Sequence, residues 1–229
     1  MKKTLIWIMT MVLFTLSFSG LPFSCASVTA KPDLAADSAV LMNADSGEIL
    51  YNKNMDKKQY PASTTKMMTA LLAIENLDPD ETVTVSRRAA DEVLEGANLD
   101  CKYGEELTVK DTIYGLMLHS ANEMAVVLAE AVSGNVESFA DLMNQRADEM
   151  GCTNTHFVTP NGLPDENHVT TAHDLALIAR EAMKNEFFAE VVSTAKYTIP
   201  ATNLSEEREV ENSNYMLYKK SKLTIDGVE

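Results

Sequence analysis

The hydrophobic period of this chain changes at Pro61, and that change governs what it can fold into. Before it, residues 39–44 and 48–52 are short apolar runs joined by Asp45-Ser46-Gly47, a three-residue hairpin loop with glycine where a positive φ is required. After it, Met67, Ala70, Leu71, Ile74 and Leu77 recur at helical spacing until Asp78-Pro79-Asp80 stops them. Residues 108–118 open with Thr108 and Asp111 in capping positions and carry Ile113, Leu116 and Met117 on one face. A helix over 121–132 stops at Gly134, and one holding Phe139, Leu142, Met143, Ala147 and Met150 stops at Gly151. Pro160-Asn161-Gly162 is a turn, and 171–184 is helical again, starting with Thr171 and Asp174. Residues 82–85 and 197–199 read as brief strands. No repeat or low-complexity linker intervenes, so the pattern predicts one unit mixing α and β elements.

The first thirty residues differ in kind. Lys2 and Lys3 precede an apolar run over 5–18, Gly20 and Pro22 break it, and Val28-Thr29-Ala30 supplies small residues for cleavage. This predicts a secretory signal peptide over 1–30 rather than a spanning helix, the apolar core being too short. Lipidation at Cys25 is the weaker reading, because Pro22-Phe23-Ser24 is a poor lipobox. Acids outnumber bases 34 to 19, a charge of −15, which argues against a nucleic-acid partner. Export would leave Cys101 and Cys152 in an oxidising compartment, where a bridge and two free thiols are both open.

Metal and nucleotide chemistry find little support. His119, His156, His168 and His173 share no ligand spacing, and there is neither a glycine-rich phosphate loop nor a G-x-S-x-G elbow. No cofactor and no metal are expected.

The stronger candidate is Ser63-Thr64-Thr65-Lys66, where the first apolar helix begins. A serine hydroxyl needs a base to act as a nucleophile. Lys66, one turn on, can be that base if burial and the helix dipole lower its pKa. The plainer reading is a capping serine and a solvated lysine. Ser193-Thr194-Ala195-Lys196 fits the same pattern, but it precedes a strand rather than opening an apolar helix. Ser120-Ala121-Asn122, between two helices, is the second candidate. On its own it reads first as a cap, because Ser120 and Glu123 have capping-box spacing.

Order and surroundings lift both motifs. The segments 38–47, 60–70 (Tyr-Pro-Ala-Ser-Thr-Thr-Lys-Met-Met-Thr-Ala), 114–123 (Tyr-Gly-Leu-Met-Leu-His-Ser-Ala-Asn-Glu), 154–157, 162–163, 171–176 and 199–204 resemble the serine-type D-alanyl-D-alanine carboxypeptidases, the low-molecular-weight penicillin-binding proteins. The resemblance covers essentially the whole chain after residue 30. It implies an α+β fold of the β-lactamase/transpeptidase kind, an antiparallel sheet flanked by helices, with a helical insertion carrying Ser120. It implies Ser63 as the acylated nucleophile, Lys66 as general base, Ser120 as proton relay and Asn122 as the amide holding the substrate backbone. The implied partners are peptidoglycan stem peptides ending in D-Ala-D-Ala, and β-lactam antibiotics as covalent inhibitors. The implied place is the extracytoplasmic face of the cell membrane or the wall, or secretion, with membrane contact through a C-terminal segment not found here.

Two departures stand out. Such families carry S-x-x-K, S-x-N and K-T-G, yet Lys219, Lys220 and Lys222 are followed by Lys, Ser and Leu. Asp226-Gly227-Val228 leads into K-T-G in the family, so 31–229 is expected to be a catalytic domain cut short, its last strands missing and its own turnover small. Ala121-Asn122-Glu123 also stands where Gly-Asn-Asp is more usual. A class A β-lactamase is the alternative enzyme, disfavoured because Glu166 lacks an E-x-x-L-N context. A non-catalytic wall-binding remnant is the alternative of another class.

Overall fold

The computed structural model describes residues 34–91 and 96–218. The leader, Cys25 and the Asp226-Gly227 turn lie outside them. The elements below all belong to one unit that starts at Ala36.

Strands β1 (Ala39–Met42) and β2 (Ile49–Lys53) form the expected antiparallel hairpin, Leu41 opposite Tyr51. Asn43 accepts the backbone N–H groups of Asp45 and Ser46, each at 2.9 Å, and Gly47 takes the positive φ (76°) that closes the loop. A 3-10 turn (Ala62–Thr65) runs directly into helix α1 (Lys66–Asn76). Leu77, in an extended conformation, ends it ahead of Pro79.

Strand β3 (Thr82–Thr84) pairs antiparallel with β4 (Glu106–Thr108), and the short helix α2 (Arg87–Asp91) lies between them in sequence. Helix α3 (Val109–Leu118) starts as its capping residues predict. Thr108 Oγ1 accepts the Asp111 N–H and donates to Asp111 Oδ2, a reciprocal cap.

Helix α4 (Asn122–Ser133) is the centre of the molecule. Residues 122–129 are all buried, and it packs against α1, α2, α3 and helix α5 (Val136–Glu149). A helix apolar nearly all round has to be enclosed by others, and here it is. Met68, Leu72, Met124, Leu128, Phe139 and Met143 fill the space between α1, α4 and α5. Gly134, left-handed at φ 79°, stops α4, and Asn135 caps α5 through the Ser138 N–H.

Helix α6 (Ala172–Ala182) begins at Thr171, whose hydroxyl accepts the Asp174 N–H. Its Arg180 reaches the β1–β2 loop, donating to the Ala44 and Asp45 carbonyls at 2.6 and 2.7 Å. Helix α7 (Glu186–Ser193) and the antiparallel pair β5 (Lys196–Ile199) and β6 (Arg208–Glu211) follow, then a 3-10 turn (Tyr215–Leu217). Tyr197 of β5 stacks on Tyr114 of α3, ring centroids 3.7 Å apart, and donates to Asp111 at 2.7 Å.

The fold is α+β, but among the described residues the strands form three two-stranded ladders rather than one sheet. The sequence pattern passed over α2, α7, β4 and β6. Helix α7 has eight residues, and β6 has one apolar side chain, Val210, so neither shows a period on its own. Cys101 and Cys152 are buried free thiols, both pushed up to about 12 by burial.

Candidate functional site

Three segments converge on one amine. Lys66, the first residue of α1, is 3% exposed. Its Nζ lies 3.1 Å from Ser63 Oγ, 3.2 Å from Ser120 Oγ and 2.8 Å from Asn122 Oδ1. All four site residues named from the sequence therefore meet, across a separation of more than fifty positions along the chain.

Local backbone geometry brings the two serines in. Ser63 lies on the 3-10 turn, three residues before Lys66, so both face the same side. Ala62 before it and Ser120 itself are left-handed, at φ 48° and 62°. For non-glycine residues that conformation costs about 1–2 kcal/mol each, and both serine hydroxyls come within hydrogen-bond reach of Lys66 Nζ. The capping roles are not what the structure shows. The residues preceding α1 and α4 are Thr65 and Ala121, and neither makes a side-chain capping bond. Glu123 does not turn back to Ser120 but accepts the Leu99 N–H at 2.5 Å.

The surroundings hold this turn rigidly. Thr64 Oγ1 donates to Pro61 O at 2.7 Å and Thr69 Oγ1 to Pro160 O at 2.6 Å. His168, 2% exposed, accepts the backbone N–H groups of Val158 and Thr159 on Nδ1. Its proton must then sit on Nε2, which lies 2.8 Å from Thr65 Oγ1. Burial holds this ring near a pKa of about 4, so it is neutral at physiological pH. Gly162 presses on the same turn, for a Cβ there would fall 1.9 Å from the Ala62 carbonyl oxygen. A cavity of about 390 Å³ opens beside it, lined by Tyr60, Pro61, Ala62, Leu163 and Asp165 among others.

Burial lowers the Lys66 pKa to about 8, against the pull of the Glu123 carboxylate, which raises it. A lysine near neutrality can take a proton as well as give one. Protonated, its three N–H groups match the three oxygens around it; neutral, it offers a lone pair to a serine O–H. A hydroxyl beside such an amine, with a second hydroxyl in reach, can attack a carbonyl and pass the proton onward.

The competing serine–lysine pair is elsewhere and bound up. Ser193 Oγ donates to Glu190 O at the end of α7, and Lys196 is held on the surface by Glu209 at 3.1 Å and by Glu211. Two residues that shape the site were not singled out from sequence. His168 was set aside with the other histidines, and Glu123 was read only as a capping partner. An acid directly before the wholly apolar stretch 124–129 was the available signal for Glu123. Among the described residues no group of three or more His, Cys, Asp and Glu is arranged to hold a metal ion.

Two serines within reach of a buried lysine and a buried asparagine, on an α+β frame, define the class of the DD-peptidases. The Streptomyces K15 DD-transpeptidase structure superposes with a TM-score of 0.78 at 33% identity, covering 84% of this chain and 79% of that one. A D-alanyl-D-alanine carboxypeptidase structure from Mycobacterium tuberculosis gives 0.78 at 31% identity, covering 85% and 73%. The chain belongs to the D-alanyl-D-alanine carboxypeptidase family, whose sequence profile matches residues 25–229. It is 37% identical over 199 residues to Bacillus subtilis D-alanyl-D-alanine carboxypeptidase DacF, covering 84% of this chain and 51% of that protein. It is 33% identical to Escherichia coli DacD over 243 residues, covering 100% and 60%. The chain thus spans about half to three fifths of the length of these relatives.

Proposed function

We propose that this chain is the part of a D-alanyl-D-alanine carboxypeptidase that carries its nucleophile, and that the whole enzyme releases the terminal D-alanine of peptidoglycan stem peptides through an acyl-enzyme on Ser63. The observation that carries the reading is the Lys66 amine bridging Ser63, Ser120 and Asn122. Neutral Lys66 takes the Ser63 proton as Oγ attacks the carbonyl between the two D-alanines. The proton passes from Lys66 through the Ser120 hydroxyl to the departing amine, and the C–N bond breaks. Water then enters, gives a proton to the same relay, and releases the shortened peptide from the ester. Asn122 holds the peptide backbone across the cleft. β-Lactams enter the same route and stop at the ester, as covalent inhibitors.

This chemistry belongs outside the cytoplasm. Residues 1–30 act as a leader cleaved after Ala30, and 31–229 belong to the catalytic domain, working at the membrane face or wall or after secretion. Among the described residues no helix is long and apolar enough to cross a membrane, and any membrane contact would come through a C-terminal segment. Mass spectrometry of the exported protein should find Lys31 at the N-terminus; a lipidated Cys25 there would reject the leader assignment.

The decisive test is covalent labelling with a fluorescent penicillin. Labelling should be lost in Ser63→Ala and kept in Ser193→Ala. Labelling that persists in Ser63→Ala overturns the nucleophile assignment.

A further inference from the structure

Glu123 is the least expected side chain near the site. It is 0% exposed, in the first turn of the most deeply buried helix. One carboxylate oxygen accepts the Leu99 N–H at 2.5 Å, and the other is buried with no hydrogen-bond partner. Leaving a carboxylate oxygen unmatched in the interior is unfavourable by about 1–3 kcal/mol or more, so a purely structural residue at this position gains nothing by being an acid.

Its surroundings suggest what the acid does. Asn122 N donates to Ala97 O at 2.9 Å, and a Cβ on Gly96 would come within 3.1 Å of Asn122 Nδ2. Residues 96–99 therefore lie across the start of α4, held at Ala97 by the backbone and at Leu99 by Glu123. Asn122 in turn holds Lys66 Nζ at 2.8 Å. The Glu123 carboxylate attracts Lys66 in its protonated form and so raises its pKa against the effect of burial. His119, at the end of α3, is the other basic group acting on Glu123. Arg208 of β6 approaches from the far side but is committed to Glu105, Leu99 O and Cys101. On α2, Arg88 is paired with Glu137 and Arg87 lies over the Tyr103 ring.

We propose that Glu123 is a positioning residue of this site, pinning residues 97–99 over Asn122 through its hydrogen bond from the Leu99 N–H and countering with its carboxylate the charge that Lys66 acquires. The inference rests on the serine–lysine reading above and goes beyond it. When Lys66 takes the Ser63 proton it becomes an ammonium in a buried place; burial raises the Glu123 carboxyl above the usual carboxylate range, and in its ionised form it favours the ammonium. The longer side chain matters too. Aspartate in its place would keep the charge but fall one methylene short of Leu99.

Two substitutions separate the two tasks. Glu123→Gln keeps an acceptor for Leu99 and removes the charge; Glu123→Asp keeps the charge and loosens the anchor. Penicillin acylation of Ser63 should be followed from pH 6 to 9.5 in the full chain and in both variants, with melting temperatures alongside. In Glu123→Gln the midpoint of the pH profile should move down by about half a unit or more, with a lower plateau. In Glu123→Asp the midpoint should stay and the rate should fall about tenfold or more at every pH. Equal midpoints in wild type and Glu123→Gln overturn the charge role, including the case in which Glu123 is held as a neutral acid. Variants that lose melting temperature alone, with both midpoint and rate kept, overturn the proposal altogether. A wild-type chain that takes no label would sink the functional reading instead. The Lys66 titration is then read directly by NMR of ¹³C-lysine protein, and an unshifted Lys66 in Glu123→Gln overturns the inference.

Discussion

Raising the pH from 6 to 9 should speed acylation of Ser63 along a curve that bends near pH 8. In the proposed mechanism Lys66 is the base and only its neutral form can accept the proton; its pKa is lowered to about 8 by burial. The neutral fraction is then about 1% at pH 6, about 10% at pH 7 and about 90% at pH 9. The rate should rise about 90-fold over that span and level off above about pH 8.5. A solvated lysine at the ordinary pKa of 10.5 would give about a 1000-fold rise over the same span, with no bend before pH 9. The assay is the second-order rate constant for a fluorescent penicillin at half-unit pH steps, with circular dichroism at each pH to confirm an intact fold. The shape of the profile, not its height, is the prediction. A unit slope in log rate through pH 9 would mean that Lys66 is not depressed, and a flat profile that it is not the base. Lys66→Arg should lose several orders of magnitude at every pH, because a guanidinium does not give up its proton in this range.

Three further outcomes follow from the groups around the turn. His168 is held neutral with a folded pKa of about 4 against an ordinary 6.5, so the unfolded chain binds its proton first as the pH falls. Stability should be lost between pH 6.5 and 4, by about 2–3 kcal/mol at pH 4.5 from this residue. Urea titrations should find that His168→Gln, whatever it does at pH 7, removes that part of the acid sensitivity. Gly162→Ala should lower stability by about 2 kcal/mol or more and slow labelling, since its Cβ would meet the Ala62 carbonyl at 1.9 Å; a variant that melts and labels like wild type would show the turn free to move. Ser120→Ala and Ser120→Gly should both slow labelling at least about tenfold by breaking the proton route. Glycine should be the more stable of the two by about 1 kcal/mol, because position 120 has φ 62°, and equal melting points would refute the strained backbone.

Residue pattern alone was enough for the long elements and for the neighbourhood of Ser63. The 3.6 period of α1, α3, α4, α5 and α6, with caps at Thr108 and Thr171, depends on neighbours within a few residues, and such interactions are written locally. Ser63 and Lys66 are three apart, so any helical or 3-10 turn brings them together. Short segments such as α7, β4 and β6 acquire their shape from what they pack against, and their sequences carry too little period to reveal it.

The electrostatics of the site belong wholly to the tertiary structure. Ser120 and Asn122 reach Lys66 only because α4 is packed against α1, and the Lys66 pKa falls only because that packing removes water from its amine. Whether Ser120 caps a helix or faces a lysine is decided by one backbone dihedral, which no local pattern around it specifies. His168, a hundred residues from Thr65, and Glu123, bound to Leu99 across a loop, act through distance and desolvation. A sequence states which groups carry charge or a hydroxyl, but the strength and direction of their interaction depend on separation and on excluded water, which only the folded chain sets.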